Sequence, residues 1–372
     1  MNDQIRAITM PKWGLSMEEG MVVAWLAEEG KLIDTGQDIL EIETTKITNV
    51  YEAPAAGLLR RQVVAEGESV PVGALLGLLA EPSVSDAELD DFIENFNADF
   101  AVKAAEAEAS APEPQSITAG DLSLNYLRMG ADGGTPLVLI HGFGGSLDNW
   151  LFNQPTLAEN YDVLALDLPG HGRSSKEVGA ADMARLTGVF GDFLDAVGIE
   201  RAHLVGHSLG GALAMLFAIE NPQRVTGLTL LAPAGLGSEI NMDFIEGFIR
   251  AARRKEMRAA LELLVADPEL ISRDMVNDVL KYKRLDGVDR VLRRLAESLF
   301  PGGRQEALDL GNLGQIPAPI SVIWGKDDRI LPIGHADNLP DQVEICRLEG
   351  VGHMPHMEAS AEVNRLIEAA LR

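Results

Sequence analysis

The segment AHLVGHSLGGALAMLFAIENP (202–222) places a single serine between a run typical of a buried strand and a run typical of an apolar helix. Gly206 and Gly210 stand two residues before and two residues after Ser208. Glycines at these positions permit a strand-to-helix turn so tight that the serine hydroxyl is exposed at the helix N-terminus. The segment therefore predicts an α/β fold with Ser208 as nucleophile. The alternative is a glycine-rich packing turn without chemistry.

The sequence from residue 117 onward alternates between apolar runs typical of strands and longer helical segments. Further strand-like runs lie at 136–146, 161–175, 225–235, 319–328 and 342–356. Such alternation is typical of a mostly parallel sheet that is covered by helices. We therefore predict that residues 117–372 form one α/β domain.

A serine hydroxyl is a weak nucleophile until a base takes its proton, and the base needs a carboxylate to orient it. Candidates for both follow Ser208, in the chain order acid and then histidine that this type of fold requires. Asp328 ends the strand SVIWGKDD, with Asp327 as the runner-up. His353 follows the last strand, with His356 as the runner-up. We predict that Ser208, Asp328 and His353 form a catalytic triad.

The other five histidines have weaker claims to a catalytic role. His141 and His171 lie in turn motifs, where we expect structural roles, and His203 lies in a buried strand. His207 is expected to point away from its serine neighbour, and no motif surrounds His335. No cluster of His, Asp, Glu and Cys has metal-site spacing, so we predict no metal.

Five segments, HGFGG, DLPGHGRS, GHSLGG, WGKDD and GVGHMPH, together resemble the α/β-hydrolase superfamily over residues 117–372. The resemblance implies an oxyanion hole formed by the backbone N–H groups of Phe143 and Leu209. Such a hole stabilises the negative charge that develops on a substrate carbonyl oxygen during acyl transfer.

A helical insertion at about 235–312 is predicted to cover the serine as a lid, and basic residues cluster in its segment RAARRKEMR and again at 281–294. One interpretation is solvated helix faces that carry ion pairs. The other is a binding surface for the phosphates of coenzyme A, with Arg253, Arg254 and Lys255 as contacts. Arginine side chains suit phosphate because they donate two parallel hydrogen bonds.

Residues 4–80 contain an internal repeat with an offset of 37 residues. The repeat aligns EEGMVVAWLAEEG with AAGLLRRQVVAEG, so that Gly30 matches Gly67 and Gly36 matches Gly73. Glycines that recur between short apolar runs predict paired turns in two similar halves of a small all-β sandwich. Neither half can bury a core alone, so we expect the halves to pack together.

The first half of the repeat runs into EIETTKITNV, in which Lys46 lies at a turn between two strand-like runs. Residues 4–80 resemble a lipoyl domain of 2-oxo-acid-dehydrogenase-type complexes, which implies that Lys46 carries lipoic acid in amide linkage. Thr45 stands where many lipoyl domains have an acidic residue. Biotin carrier domains share this fold but usually flank the lysine with methionines. Biotinylation and an unmodified surface lysine are the alternatives.

Residues 81–116 are rich in Ala, Glu, Asp and Pro and are predicted to be a linker with a short helix. Ser85 and Glu88 can form a capping box, and four apolar residues then follow at helical spacing: Leu89, Phe92, Phe96 and Phe100. This helix either packs on a neighbouring domain or binds a partner, and periodicity alone does not decide between the two.

The formal net charge of −26 argues against nucleic acid and anionic membranes as partners. The single cysteine, Cys346, excludes an internal disulfide framework and suits a reducing cytosol. We find no signal peptide at the start and no apolar stretch long enough to span a bilayer. A cytoplasmic location is expected.

A lipoyl-type domain followed by a serine acyl-transfer domain resembles the acyltransferase components of bacterial acetoin dehydrogenase complexes. The resemblance implies a dihydrolipoyllysine-residue acetyltransferase that passes acetyl from lipoyl-Lys46 to coenzyme A through Ser208. It also implies three partners: a thiamine-diphosphate-dependent acetoin-cleaving enzyme, dihydrolipoamide dehydrogenase, and a lipoate ligase or lipoyl transferase. We further expect a homo-oligomer.

The C-terminus lacks the H-x-x-x-D-G motif of typical 2-oxo-acid-complex acyltransferases, so the acyl step is assigned to Ser208 instead. Two other functions stay open. The α/β domain could be a thioesterase or another serine hydrolase that gives the acyl group to water, or the chain could be a carrier and scaffold with a silent hydrolase domain. Fold analogy does not choose among them.

Overall fold

The computed structural model describes residues 4–11, 19–44, 48–110, 112–130 and 133–371. The chain divides into two compact units, residues 1–111 and 112–372. Lys46, the predicted lipoylation site, lies outside the described residues, together with Thr45 and Ile47. No described helix is both long enough and apolar enough to cross a membrane.

The N-terminal unit is built from short antiparallel strands in two four-stranded sheets. The strands are β1 Ile5–Thr9, β2 Glu19–Trp25, β3 Leu32–Ile33, β4 Asp38–Glu43, β5 Thr48–Glu52, β6 Gly57–Gln62, β7 Ser69–Pro71 and β8 Leu75–Ala80. Their order is β1-β8-β6-β3 in one sheet and β5-β4-β2-β7 in the other. Fully buried aliphatic side chains such as Val22, Ile42 and Leu59 form the core of this unit. The predicted all-β sandwich is confirmed.

The two halves of the repeat interlock in this unit. Strand β2 of the first half pairs with β7 of the second, and β3 pairs with β6. The matched glycines adopt the same left-handed conformation, with φ of 80° at Gly30 and 86° at Gly67, and 79° at Gly36 and 84° at Gly73. Glycine adopts positive φ without steric cost, so these turns require it.

Helix α1 (Asp86–Ser110) is longer than the short helix that was predicted and fills most of the expected linker. The capping box is present, since the backbone N–H of Ser85 donates to Glu88 Oε2 at 2.8 Å. Leu89 is buried with Phe92 and Phe96 against the N-terminal sandwich, so the helix packs on its own unit. The Ala- and Glu-rich stretch extends the helix because both residues are strong helix formers.

The C-terminal unit contains an eight-stranded sheet with helices between the strands. The strands are β9 Gln115–Ala119, β10 Leu122–Met129, β11 Pro136–Ile140, β12 Asp162–Leu166, β13 Ala202–His207, β14 Val225–Leu231, β15 Ile320–Gly325 and β16 Glu344–Leu348. The order is β9-β10-β12-β11-β13-β14-β15-β16, antiparallel up to β12 and parallel from there onward. The unit begins slightly before the predicted residue 117, because β9 starts at Gln115.

Helices connect the parallel strands of this unit. They are α2 Gln154–Leu157, α3 Met183–Ala196, α4 Leu209–Glu220, α5 Met242–Arg250, α6 Arg254–Leu261, α7 Arg273–Lys283, α8 Val288–Leu299, α9 Pro355–Glu358 and α10 Ser360–Ala370. Helices α5 to α8 lie between β14 and β15, inside the predicted lid region.

A buried lysine ties the lid helices together. Lys283, at the end of α7, donates hydrogen bonds of 2.8 Å each to the carbonyl oxygens of Phe248, Ile249 and Ala251 at the end of α5. Its ammonium also lies 3.3 Å from a carboxylate oxygen of Asp289 on α8. A cation at a helix C-terminus interacts favourably with the helix dipole. Lys283 therefore stabilises the packing of α5, α7 and α8 against one another.

Candidate active site

Ser208 lies on the turn between β13 and α4, in a backbone conformation that L-residues rarely adopt, with φ of 51° and ψ of −116°. The flanking glycines are required sterically. A Cβ atom at position 206 would lie 2.4 Å from the carbonyl oxygen of Gly210, and one at position 210 would lie 2.2 Å from that of Ile140. Strain of this kind is concentrated at functional sites. The turn therefore presents the serine hydroxyl at the carboxyl end of the parallel strands.

His353 and Asp328 form a buried hydrogen-bonded pair. The Nδ1–H group of His353 donates to Asp328 Oδ2 at 2.8 Å, and both side chains are almost fully buried. Asp328 accepts three more hydrogen bonds: from Trp324 Nε1 at 2.9 Å and from the backbone N–H groups of Ile330 and Leu331 at 2.7 and 3.0 Å. The carboxylate thus holds the imidazole in the tautomer whose Nε2 atom can accept a proton.

The electrostatics of this pair favour an ionised carboxylate. Burial acts to raise the pKa of Asp328, but the neighbouring His353 and the hydrogen bonds that the carboxylate accepts outweigh it, so the pKa is lowered. Asp328 is therefore charged at neutral pH and can stabilise an imidazolium when His353 takes up a proton.

The structure distinguishes the predicted residues from their runners-up. Asp327 is exposed, and its described hydrogen bond is a backbone one to Val351. His356 is fully buried and lies between Trp150, with ring centroids 4.7 Å apart, and His207, at 4.5 Å, with its ring tilted against both. Neither ring nitrogen of His356 has a hydrogen-bond partner within the described ranges. The geometry therefore brings His353 and Asp328 together and leaves the two runners-up apart.

Two residues that support the pair, Trp324 and His207, were not among the residues predicted to do so. Trp324 was part of a strand-like run, but nothing in that run indicated that its indole N–H reaches Asp328. His207 was expected only to point away from the serine, whereas its Nε2–H donates to the backbone carbonyl of His353 at 2.8 Å. This contact holds the loop that carries His353.

The two predicted oxyanion-hole residues lie beside the serine. Phe143 follows β11 in a glycine-rich turn, and Leu209 is the first residue of α4. In the part of the chain that the structure describes, neither backbone N–H donates to another protein group. Both residues line the same cavity as Ser208. Two such free donors are the arrangement that a developing oxyanion needs.

A mostly apolar cavity of about 690 Å³ contains both Ser208 and His353. Its aromatic lining residues include Phe143 from the turn after β11, Phe152, and Phe244, Phe248, Tyr282 and Phe300 from the predicted lid region. Charged residues in the lining include Asp148, Arg173 and Asp278. A cavity of this size and character suits an organic substrate of moderate length. No group of His, Cys, Asp and Glu among the described residues has the arrangement of a metal site.

Strands β4 and β5 flank the segment that is predicted to carry the lipoyl group. Strands β4 and β5 pair antiparallel, with Glu43 opposite Thr48, so residues 44–47 of the sequence join them. Lys46 itself lies outside the described residues.

Two of the three residues predicted to contact coenzyme A line a second cavity, and the third does not. Arg253 and Arg254, at the start of α6, line a second cavity of about 380 Å³. Lys255 is exposed and is not part of that lining.

Two family models match the chain. A model described as the alpha/beta hydrolase fold matches residues 135–360, and a model described as a biotin-requiring enzyme matches residues 6–79. The dihydrolipoyllysine-residue acetyltransferase component of the acetoin cleaving system of Pseudomonas putida is 46% identical over 369 residues, 99% of this chain and 99% of that protein. The chain belongs to this family of acetyltransferase components. The corresponding protein of Cupriavidus necator is 45% identical over 364 residues, 98% of this chain and 96% of that protein.

These similarities confirm the family and the fold class that the sequence indicated: a lipoyl-type domain followed by an α/β-hydrolase fold. Among solved structures, the meta-cleavage product hydrolase of Pseudomonas fluorescens IP01 is 25% identical, with a TM-score of 0.64 over 69% of this chain and 97% of that chain. The family's acetyltransferase component thus shares the architecture of a hydrolase.

A pH prediction follows from the buried histidines near the site. Burial, together with the neighbouring His353, lowers the pKa of His356 to about 3. The unfolded chain therefore binds more protons than the folded one below about pH 6.5, so stability is lost as the pH falls from there towards 3. His356 should contribute a slope of up to about 1.4 kcal/mol per pH unit.

Urea unfolding at pH 8, 6 and 5, followed by circular dichroism, checks this prediction. His356→Leu should be destabilised most at pH 8, where both proteins carry a neutral side chain at this position. The difference from wild type should shrink at pH 5. A difference that stays constant with pH would contradict the depressed pKa of His356.

Proposed function

We propose that this chain transfers an acetyl group from dihydrolipoyllysine to coenzyme A through Ser208. The observation that carries the proposal is the strained serine turn in one apolar cavity with the buried His353–Asp328 pair. The similarity to acetyltransferase components over nearly the whole chain supports the donor, dihydrolipoyllysine, and the acetyl group. Lys46 would hold the cofactor in amide linkage, and its reduced dihydrolipoyl form would supply the thiol that carries the acetyl group as a thioester.

In the first half-reaction, Ser208 attacks the acetyl carbonyl carbon of the thioester. His353 Nε2 takes the proton of the hydroxyl as the new C–O bond forms, and Asp328 stabilises the resulting imidazolium. The backbone N–H groups of Phe143 and Leu209 donate to the oxyanion. The C–S bond then breaks, and His353 returns the proton to the departing thiolate. The products are acetyl-Ser208 and a free dihydrolipoyl thiol.

In the second half-reaction, His353 takes the proton of the coenzyme A thiol, and the thiolate attacks acetyl-Ser208. The same two N–H groups stabilise the oxyanion. Ser208 leaves as its C–O bond breaks, and His353 protonates it, so the enzyme returns to its starting state. The aromatic lid residues disfavour water near the ester, which favours the thiol over hydrolysis.

The proposed reaction requires other enzymes. A thiamine-diphosphate-dependent acetoin-cleaving component supplies the acetyl group, dihydrolipoamide dehydrogenase reoxidises the dithiol, and a lipoate ligase or lipoyl transferase attaches the cofactor. The family belongs to multicomponent acetoin-cleaving systems, which supports such partners. We place the reaction in the cytoplasm, with the chain as a homo-oligomer that presents several lipoyl groups.

The test uses purified, lipoylated protein that carries S-acetyl-dihydrolipoyl groups, with loss of the thioester followed with and without coenzyme A. We expect acetyl-CoA to form rapidly, with little loss in the absence of coenzyme A. Lys46→Arg should abolish transfer from the protein's own arm but leave transfer from free S-acetyldihydrolipoamide intact. If Lys46→Arg still accepts lipoate, the assigned attachment site is wrong.

A serine hydrolase is the second candidate function, because the similar solved structures include the meta-cleavage product hydrolase. In that case water resolves acetyl-Ser208. Loss of the thioester at the same rate without coenzyme A, with acetate as the product, would replace the transferase by a thioesterase.

A further inference from the structure

A second cavity lies on the lid and is lined by cations. Its volume is about 380 Å³, and its charged residues are Arg253, Arg254, Lys281 and Arg284. The rest of its lining consists of Ala252, Asn277 and Leu280, so no acidic residue takes part. Four cations around one small cavity are unusual in a chain with a net charge of −26. Such a cluster makes a local positive potential that attracts a multiply charged anion.

These cations are only partly neutralised by the protein. Lys281 pairs with Asp278 at 2.7 Å, and the Nε atom of Arg254 donates to the neutral side chain of Asn277 at 2.8 Å. Arg253 and Arg284 form no ion pair with any residue that the structure describes. Backbone hydrogen bonds to the nearby carboxylate of Glu256, together with the charge of Arg253, lower the pKa of that group. The cavity therefore keeps a net positive charge and offers several N–H donors to a ligand.

Helix α7 separates this basic cavity from the cavity that holds Ser208. Lys281 lines the basic cavity, whereas its ion-pair partner Asp278 lines the active-site cavity. The neighbours Arg284 and Leu285, just after α7, likewise line one cavity each. The two cavities therefore lie on different sides of α7 and its C-terminal end, and a helix with its side chains is about 10–12 Å wide.

We propose that the basic cavity binds the phosphates of coenzyme A, so that the thiol of the pantetheine arm reaches Ser208. This inference rests on the proposed function, which makes coenzyme A the acceptor. The 3′-phosphate and the diphosphate of the nucleotide match the arginine and lysine side chains in charge and in hydrogen bonding. The pantetheine arm has about the length of four extended residues, roughly 13 Å, which is slightly more than the width of α7, so the thiol enters the cavity that Ser208 lines.

The proposed phosphate site contains different residues from those that the sequence suggested. Arg253 and Arg254 stay in the site, Lys281 and Arg284 join it from α7, and Lys255 leaves it. The arrangement makes α7 a shared wall, so that the acceptor's phosphates and its thiol bind on two sides of one helix.

The test compares coenzyme A with pantetheine, an acceptor that has the same thiol arm but lacks the nucleotide phosphates. In a triple variant, Arg254→Gln, Lys281→Gln and Arg284→Gln, the KM for coenzyme A should rise at least tenfold, and on the order of a hundredfold if all three contacts count. The KM for pantetheine and the kcat should stay within about twofold, because the triad and its cavity are intact.

The matched control removes the same number of charges from the neighbouring lid helix: Arg290→Gln, Arg293→Gln and Arg294→Gln. These residues lie on α8, are exposed and do not line the cavity. The control should keep the wild-type KM for coenzyme A. An equal rise in the control, or in the KM for pantetheine, would mean a general effect of charge or lid damage and would overturn the proposed site.

A binding measurement separates this inference from the proposed function. Adenosine 3′,5′-bisphosphate carries phosphates but no thiol, so calorimetric titration with it does not depend on acetyl transfer. Wild type should bind it, and the triple variant should bind it at least tenfold more weakly. Absence of binding to wild type would overturn the site even if acetyl-CoA forms. Binding without any acetyl transfer to coenzyme A would instead count against the proposed function alone.

Discussion

Replacing Ser208 with alanine is expected to lower the rate of acetyl transfer to coenzyme A by roughly a hundred-thousandfold or more. The variant lacks the oxygen that bonds to the acetyl group, so no covalent intermediate can form. His353 and Asp328 cannot compensate, because triad residues act as one unit and lose their effect together. The measurement is the initial rate of acetyl-CoA formation from S-acetyldihydrolipoamide, with mass spectrometry to detect acetyl-Ser208 in wild type.

The control for this prediction is Ser146→Ala. Ser146 lines the same cavity, and its hydroxyl accepts a hydrogen bond from the Asp148 backbone N–H at the start of a short 3₁₀ turn. Loss of the Ser146 hydroxyl should lower the free energy of unfolding by about 1 kcal/mol and should leave the rate of acetyl transfer within a few-fold of wild type. If Ser208→Ala still transfers acetyl at a rate near that of wild type, the serine is a bystander, and direct attack by coenzyme A must replace the covalent route.

The positions of the parallel strands along the chain and the serine turn could be predicted from the sequence because they depend on local pattern. Strand, turn and helix follow one another within 202–222, and glycine is required at positions 206 and 210 by contacts inside the turn and with the adjacent strand end. The choice between Asp327 and Asp328 depends on contacts over a longer range. The side chain of Trp324 and two backbone N–H groups surround Asp328, and sequence pattern does not reveal which of two adjacent carboxylates points inward.

The helix in the expected linker shows where composition is ambiguous. An acidic, alanine-rich stretch suits both a disordered linker and a helix, because low apolar content and high helix propensity occur together in Ala and Glu. Leu89 and the phenylalanines after it decide the outcome, since they bury an apolar face on the N-terminal unit. Once the buried N-terminal part of helix α1 has formed, each further turn through Ser110 needs little additional free energy.

The basic cavity forms between two segments that are distant in the sequence, 252–254 and 277–284. Arg253 and Arg254 lie next to Lys255 in the sequence, yet helix geometry and the partner helix α7 decide which of the three faces the cavity. Lys281 and Arg284 lie more than twenty residues away in the sequence, and only the packing of α7 against α6 brings them to this cavity. Each basic cluster was visible in the sequence, but the sequence did not show that residues from both clusters line one cavity.

Replacing Asp328 with asparagine should lower kcat for acetyl transfer by about ten-thousandfold while leaving the fold intact. Oδ1 accepts from the backbone N–H groups of Ile330 and Leu331, so the amide oxygen of an asparagine would take that place. Its NH₂ group would then face His353 Nδ1 and force the proton onto Nε2. An imidazole in that tautomer cannot accept a proton from Ser208, and raising the pH would not restore it.

The effect should be specific to position 328. The same NH₂ group would also face the indole N–H of Trp324, so Asp328→Asn should lose about 1–3 kcal/mol of stability through the unmade hydrogen bond. Asp327→Asn is the matched control, since it makes the same chemical change at an exposed neighbour and should keep activity within about twofold.

Parallel kcat measurements with S-acetyldihydrolipoamide check both variants. Equal losses in the two would show that the loop as a whole, rather than the His353–Asp328 hydrogen bond, sets the rate. A loss below tenfold in Asp328→Asn would mean that His353 reaches the correct tautomer without the carboxylate.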